Sequence, residues 1–510
     1  MLSRVWSAAL IGIEALKVGV EIDVSGGLPG TVIVGLPDTA VQESRERVKA
    51  GLRNSGFAFP ARRIVVNLMP ADLRKEGPSF DLPISVGILA ATDQVNPDPL
   101  ERFLFLGEVS LDGRLHPISG VLPIAAAAAG LGFGGVVVPK ANAAEAAVVA
   151  GLEVYGFETL LEVSQFLNHT QDVQPLVLKE SYFQHSKSIP AKLDLKDVKG
   201  QAHAKRALEI AAAGGHNLIF VGPPGSGKTM LARRLPGILP DLGFQEALEV
   251  TKIHSVAGLL KERGTLIRDR PFRSPHHSAS GPALVGGGSY PRPGEISLAH
   301  QGVLFLDELT EFKRDVLDFL RQPLEDGFVT ISRTRQTVVF PAQFTLVAST
   351  NPCPCGYFSD PIQACTCTPR QRETYWARLS GPLMDRIDLQ VAVGRLKPEE
   401  MTRQREGEPS AAVRDRILAA REIARQRFAQ QEHLYSNGQM QSRHLRQWCQ
   451  LDDASRSILE AAIQRLGLSA RAMDRILKVA RTIADLDGQG QIQSNHIAEA
   501  IQYRTIDRLQ

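Results

Sequence analysis

The run GPPGSGKT, residues 222–229, follows an apolar stretch, LIFV, and leads into a helical pattern, MLARRL. Strand, glycine-rich loop and helix in that order are the setting of a nucleotide phosphate loop. In such a loop Gly222, Pro223, Pro224, Gly225, Ser226 and Gly227 let the available backbone N–H groups turn toward phosphate. The helix N-terminus then adds its partial positive charge. Lys228 would reach the β- and γ-phosphates and the Thr229 hydroxyl would ligate magnesium, so ATP and magnesium are the expected ligands. A second apolar run, VLFL, ends in Asp307 and Glu308. Asp307 suits a ligand of magnesium or of a water bound to it, and Glu308 suits the group that orients the attacking water. Acids at a strand end also serve as plain helix caps; the phosphate loop upstream favours the catalytic role. FTLVAST supplies a third apolar strand, ending in Asn351, a side chain suited to sensing the γ-phosphate.

Two further constellations could do chemistry. Cys353, Cys355, Cys365 and Cys367 form C-x-C, nine residues, C-x-C, and four thiolates on a short loop can close a tetrahedral zinc site. Buried free thiols and redox disulfides are the alternatives, and the usual C-x₂-C spacing is absent. The stretch GPSFDLP places Ser79 at the mouth of an apolar helix, where it could be a nucleophile or an N-cap for a helix beginning near Asp81 or Pro83. His276 and His277, adjacent in a proline-flanked loop, are read as structural.

These residues need elements to hold them, and 510 residues are enough for two to four domains. Residues 1–167 mix β-rich runs (VGVEIDV, TVIVGL, RIVVNL, GGVVVP) with two helix-like segments, one capped by Asp38 and ended by Gly56. That predicts an α+β or α/β domain. Residues 168–190 lose periodicity and read as a linker; residues 191–395 alternate strands and helices, predicting a parallel-sheet α/β core; residues 396–510 turn helical and arginine-rich. Lys+Arg 58 against Asp+Glu 55 leaves no global basic signature, so any nucleic-acid footprint must be local. No stretch offers a membrane span, and Glu14 and Lys17 interrupt the only leader-like run. With four of five cysteines in one short segment, a reducing cytoplasm is expected.

The motifs also carry a resemblance. DVKGQAHAKRALEIAAAGGHNLIFVGPPGSGKT, FRSPHHS, GGGSYPRPGEISLAHQGVLFLDEL, STNPCPCG and SGPLMDRIDLQV resemble the AAA+ ATPases of the magnesium-chelatase and MCM branch. Over nearly the whole chain they resemble the ComM/YifB, or magnesium-chelatase-like, family. The resemblance implies an AAA+ core, a C-terminal helical lid and an N-terminal domain like the proteolytic domain of Lon. It places Arg386 of LMDRIDL at the arginine finger, reaching the ATP of a neighbouring subunit, and Arg471 of SARAMDRIL at the sensor-2 position. A finger acting in trans implies a closed ring, a homo-hexamer. At the position of Lon's catalytic lysine stands Leu122, which cannot accept a proton, so no peptidase is expected.

The same branch carries an insert and a hairpin that would face a ring's channel. Here these fall on residues 281–297, with Tyr290 and Arg292, and 329–340, with Arg333 and Arg335. Arginines with an interleaved aromatic suit backbone tracking on DNA, single-stranded or branched; interface loops within the ring are the alternative. The family implies an ATP-driven DNA translocase promoting branch migration during natural transformation. A magnesium-chelatase-type ATPase subunit and a Lon-like ATP-dependent protease are the rivals.

Overall fold

Alternation of apolar and polar residues pairs the β-rich runs of the N-terminal region into one sheet. In Arg63–Met69 the side chains of Ile64, Val66 and Leu68 are all buried, the period of two that a sheet with one face on a core demands. The computed structural model describes residues 1–176, 193–260, 266–288, 291–333, 336–396, 407–431 and 434–504. Most of the expected linker, from 177 onward, lies outside them. The chain divides into two compact units: Met1–Lys187 with Ala247–Ile267, and Ser188–Glu246 with Arg268–Gln510.

The first unit carries a seven-stranded mixed sheet. Its order is Gly30–Val34, Arg63–Met69, Glu14–Ser25, Leu2–Ile11, Phe103–Phe105, Gly135–Pro139 and Glu153–Phe157. Asp38 caps the helix Thr39–Asn54 by accepting the Val41 N–H at 2.7 Å, and Gly56 beyond its end has φ 87°. Within the described residues 1–176, the helices Val121–Ala128, Lys140–Ala146 and Leu160–Leu167 join the two that the sequence pattern shows.

Ser79 does not cap a helix. It sits inside the short 3₁₀ turn Pro78–Phe80, and the helix Asp81–Ala91 starts after it with no side-chain cap. Among the described residues the Ser79 hydroxyl makes no hydrogen bond; only its carbonyl is used, accepting from Gly107 N–H at 3.0 Å. The local preference of serine for caps yields here to a tertiary clamp on Asp81. That buried carboxylate accepts from Arg47 Nε at 2.7 Å and Nη2 at 3.0 Å, from the Ser44 hydroxyl, and from Val109 N–H at 3.3 Å. The helix it opens is buried at every position, so it needs no amphipathic period.

The second unit is built on a five-stranded parallel sheet in the order Phe272–Arg273, Val303–Leu306, Thr345–Thr350, Leu218–Val221, Leu389–Ala392. Its core is continuous with the C-terminal helices: Phe220, Phe305 and Val391 share one cluster with Ile417, Ile483 and Ile497. Among the described residues no helix is long and apolar enough to cross a membrane.

Burial pushes the Asp81 carboxyl up, and Arg47 and Ser44 pull it back. Arg47→Ala removes the main opposition to that burial, so a loss of about 3 kcal/mol is expected. Ser79→Ala should cost less than about 0.5 kcal/mol, as a substitution outside any cap or core network does. Thermal denaturation of the two variants checks both, and equal losses would overturn this reading of the GPSFDLP stretch.

Candidate nucleotide site and cysteine cluster

The sheet order brings the three predicted segments to one edge. Val303–Leu306, Thr345–Thr350 and Leu218–Val221 are neighbours, all parallel, and their carboxyl ends run into Asp307, Asn351 and the 222–229 loop. Ligands of open α/β sheets bind at such ends. Gly225 and Gly227 have φ 76° and 92°, backbone that a side chain would strain, and the helix Lys228–Ala232 begins directly after them.

Lys228 is buried, and its Nζ donates to Gly222 O at 2.7 Å, Pro223 O at 3.0 Å and Asn351 Oδ1 at 3.2 Å. Burial lowers its pKa, and the carboxylates of Asp307 and Glu308 oppose that shift. The Thr229 hydroxyl donates to Asp307 Oδ2 at 2.8 Å, and Asp307 Oδ1 accepts the Ser349 hydroxyl and the Glu308 N–H at 3.1 Å. An all-oxygen pair at a helix start fits a hard divalent cation such as magnesium. Glu308 takes the left-handed conformation, φ 54° and ψ 51°, sparsely populated for a non-glycine residue. One of its oxygens lies 3.5 Å from His277 Nδ1, a partnership that sequence reasoning missed.

Arg386 and Arg471 are brought together elsewhere. Both line a cleft of about 700 Å³ that also takes in Glu325, Asp385, Asp388 and Arg475. Arg386 donates to Pro382 O at 2.7 Å and pairs with Glu325; Arg471, 73% exposed, lies 3.8 Å from Asp385. Arg475 pairs with Asp388, whose carboxyl is held well below its usual range by Arg475 and His216 against the pull of burial. Among the described residues, no partner of Arg386 or Arg471 belongs to the phosphate loop or the acidic strand end.

The four cysteines converge. Cys353 Sγ lies 3.3 Å from Cys355 Sγ and 3.7 Å from Cys365 Sγ, the last two are 3.6 Å apart, and all four sulfurs fall within 4.8 Å of one another. Sulfurs about 2.3 Å from a central zinc would stand about 3.8 Å apart at the corners of a tetrahedron. Every cysteine is a free thiol. The loop packs on the phosphate loop: at Gly356, φ 86°, an added Cβ would come 2.8 Å from Pro224 Cδ.

The expected DNA elements are hairpins. Phe328–Arg333 pairs antiparallel with Gln336–Pro341, and Gly286–Gly287 with Arg292–Pro293. Arg292 is exposed. Tyr290 and Arg335, and the side chain of Arg333, lie outside the described residues. The two hairpins touch, since a Cβ on Gly286 would meet Ile331 Cδ1 at 2.9 Å.

Residues 194–401 match the family model described as magnesium chelatase, subunit ChlI, residues 20–142 that of subunit ChlI of Mg-chelatase, and residues 407–504 its ChlI C-terminal model. The chain is 48% identical over 514 residues to Competence protein ComM of Haemophilus influenzae, covering 100% of this chain and 98% of that protein. YifB of Escherichia coli is 45% identical over 512 residues, with the same coverage of 100% and 98%. Lon protease 2 of Bacillus subtilis is 32% identical over 142 residues, 26% of this chain and 25% of its own length. Since relatives of the first two names align with it from end to end, and one family model spans the phosphate loop, both acids and Asn351, the chain belongs to the ComM/YifB family of magnesium-chelatase-like AAA+ ATPases.

Proposed function

We propose that this chain is the ATP-hydrolysing subunit of a cytoplasmic homo-hexameric ring that translocates on DNA and drives branch migration during natural transformation. One observation carries the ring: Arg386 and Arg471 stand together in a cleft and, among the described residues, make no bond to the phosphate loop or to Glu308. A second copy would then supply both guanidiniums to each nucleotide. Residues 191–395 are the motor core, 396–510 the lid and 1–167 a scaffold without peptidase activity. The likeness to Competence protein ComM supports the setting in DNA uptake.

Within each site Lys228 would exchange its bonds to Gly222, Pro223 and Asn351 for phosphate oxygens, and Asn351 would report whether the γ-phosphate is present. Thr229 and Asp307 would hold magnesium, which neutralises charge on the phosphates. Glu308 would orient the attacking water. Exchange of one homologous strand for another is nearly balanced in free energy, so the motor's work is to impose direction. Zinc held by the four cysteines would stiffen the loop lying on Pro224.

Glu308→Gln should bind ATP and hydrolyse it very slowly. Arg386→Ala should keep nucleotide affinity and lose about 10³-fold or more in turnover. Mixing the two under subunit exchange should restore ATPase activity, because some interfaces then pair a sound finger with a sound glutamate; mixtures that stay dead would refute the trans arrangement.

Replacing Arg292, Arg333 and Arg335 together by alanine should weaken binding to all DNA sequences alike, flatten its salt dependence and abolish junction migration, while DNA-free ATPase survives. Migration at the parental rate by that variant would put the DNA elsewhere. DNA-stimulated ATPase in the unmutated chain separates this reading from a chelatase subunit.

Elemental analysis of protein purified without added metal should find about one zinc per chain. Cys365→Ser with Cys367→Ser should remove it and lower the melting temperature. Metal-free protein of the same stability would leave the quartet as plain thiols.

A further inference from the structure

The pairing of Val303–Leu306 with Thr345–Thr350 ends at Leu306 opposite Ala348, short of both Glu308 and Asn351. Side chains take over beyond that point. Asp307 accepts the Ser349 hydroxyl, and a further set of bonds comes from the helix Pro369–Trp376, to which the sequence pattern assigns no chemistry. Tyr375 is buried on that helix, and its hydroxyl accepts from the Thr310 hydroxyl at 2.6 Å. Thr310, buried too, lies in the 3₁₀ turn Leu309–Glu311, which Glu308 opens by accepting the Glu311 N–H at 2.8 Å. On its other side the Tyr375 hydroxyl lies 3.4 Å from Thr350 Oγ1, and Thr350 donates to the Asn351 carbonyl at 3.3 Å.

Each hydroxyl can thus donate once along a single chain, Thr310 to Tyr375 to Thr350 to the Asn351 carbonyl. The helix is pinned at two more points. Trp376 Nε1 donates to Pro352 O at 3.1 Å, and Arg378 Nη1, just past the helix end, donates to Thr310 O at 3.2 Å. One short element therefore grips both the turn after Glu308 and the backbone around Asn351. Glu308 needs such a grip: its left-handed backbone, φ 54°, persists only where the surroundings hold it.

We propose that Tyr375 is a positioning residue for ATP hydrolysis, its hydroxyl setting the distance between the Glu308 turn and the Asn351 strand end. That role rests on the tasks proposed for those two residues, orienting water and sensing the γ-phosphate. Tyr375 acts through them and not on the nucleotide. A small misplacement of the attacking water costs rate while the phosphates stay bound, because Lys228 and Thr229 are untouched.

The test is DNA-free steady-state ATPase of the full chain, with binding of a fluorescent ATP analogue measured in parallel. Tyr375→Phe keeps the ring, and the Thr310 and Thr350 hydroxyls, 3.1 Å apart, can still bond each other. It should lower kcat about five- to tenfold, with the KM for ATP and the nucleotide bound per chain at parental values. In a Glu308→Gln background the same substitution should change the residual rate by less than about twofold, because the group it positions is already gone. An unchanged kcat in Tyr375→Phe overturns the proposal. An equal loss in both backgrounds also overturns it, since Tyr375 would then support the fold and not Glu308. Should Tyr375→Phe bind no nucleotide, Thr310→Val decides by the same readouts, deleting the bond from its other partner and leaving the ring in place. A Glu308→Gln chain with parental turnover refutes the task of Glu308 and the role of Tyr375 with it. A slow Glu308→Gln chain beside a parental Tyr375→Phe chain refutes the role of Tyr375 alone.

Discussion

Asp307 accepts the Thr229 hydroxyl on one oxygen, and the Ser349 hydroxyl and the Glu308 N–H on the other. Its strand and the phosphate-loop strand are not neighbours; Thr345–Thr350 runs between them. One carboxylate thus reaches across the middle strand and fixes the start of the helix after the loop, the intervening strand and the turn that carries Glu308. Hydrogen bonds to a charged acceptor are about twice as strong as neutral ones, and an unpaired carboxylate at a buried strand end would be costly. The negative charge also opposes the loss of charge that burial imposes on Lys228. Remove Asp307, and the polar links from Thr229 to Ser349 and to the turn of Glu308 are lost, leaving Lys228 on Asn351 Oδ1 and Gly222 N–H on Thr350 O to tie the loop to the middle strand.

A comparable economy holds the two arginines. Asp385 and Asp388 flank Arg386, and each faces an arginine of the helix Ala470–Leu486: Arg471 for the first, Arg475 for the second. Those arginines are four residues apart, one turn along one face. Asp388 is buried and also faces His216 at 3.4 Å, while His216 Nε2 lies 2.7 Å from Thr482 Oγ1 on the same helix. Movement of Arg386 without Arg471 would break two ion pairs, one of them desolvated. Arg386 and Arg471, the proposed finger and sensor-2 residue, are therefore tied through Asp385 and Asp388 to one helix, and the core shared by sheet and C-terminal helices extends that constraint inward.

What could be read from the sequence was whatever a local rule imposes. The phosphate loop needs glycine where φ is positive, an apolar strand before and a helix after, and all three show in the order of residues. The Asp38 cap, the helix it opens and the strands of the N-terminal sheet are legible for the same reason. Cysteines crowded into one loop announced their own convergence. Features set by distant partners were not legible. Val121–Ala128 is apolar on nearly every side, so no period marks it as a helix. Ser79 obeyed a neighbourhood rule until Arg47 and Ser44, over thirty residues away, took hold of Asp81 instead. His277 looks structural unless Glu308 is seen beside it.

In the first unit a buried carboxylate gathers a segment that comes from far along the chain. At Leu122, where the Lon resemblance sets a lysine, the side chain is fully buried and the backbone N–H donates to Glu145 Oε1 at 3.1 Å. Glu145 is buried as well, and it also accepts from Asn142 Nδ2 at 3.1 Å and from the Ser255 hydroxyl at 2.5 Å. Ser255 belongs to the segment Ala247–Ile267, which the chain returns to this unit after beginning the second. The carboxylate thus has three donors, one of them a backbone N–H. A buried acid so satisfied is expensive to uncover, because each donor and the charge itself would have to be resolvated or left unpaired. The carboxylate is thereby committed to holding Ala247–Ile267 in place.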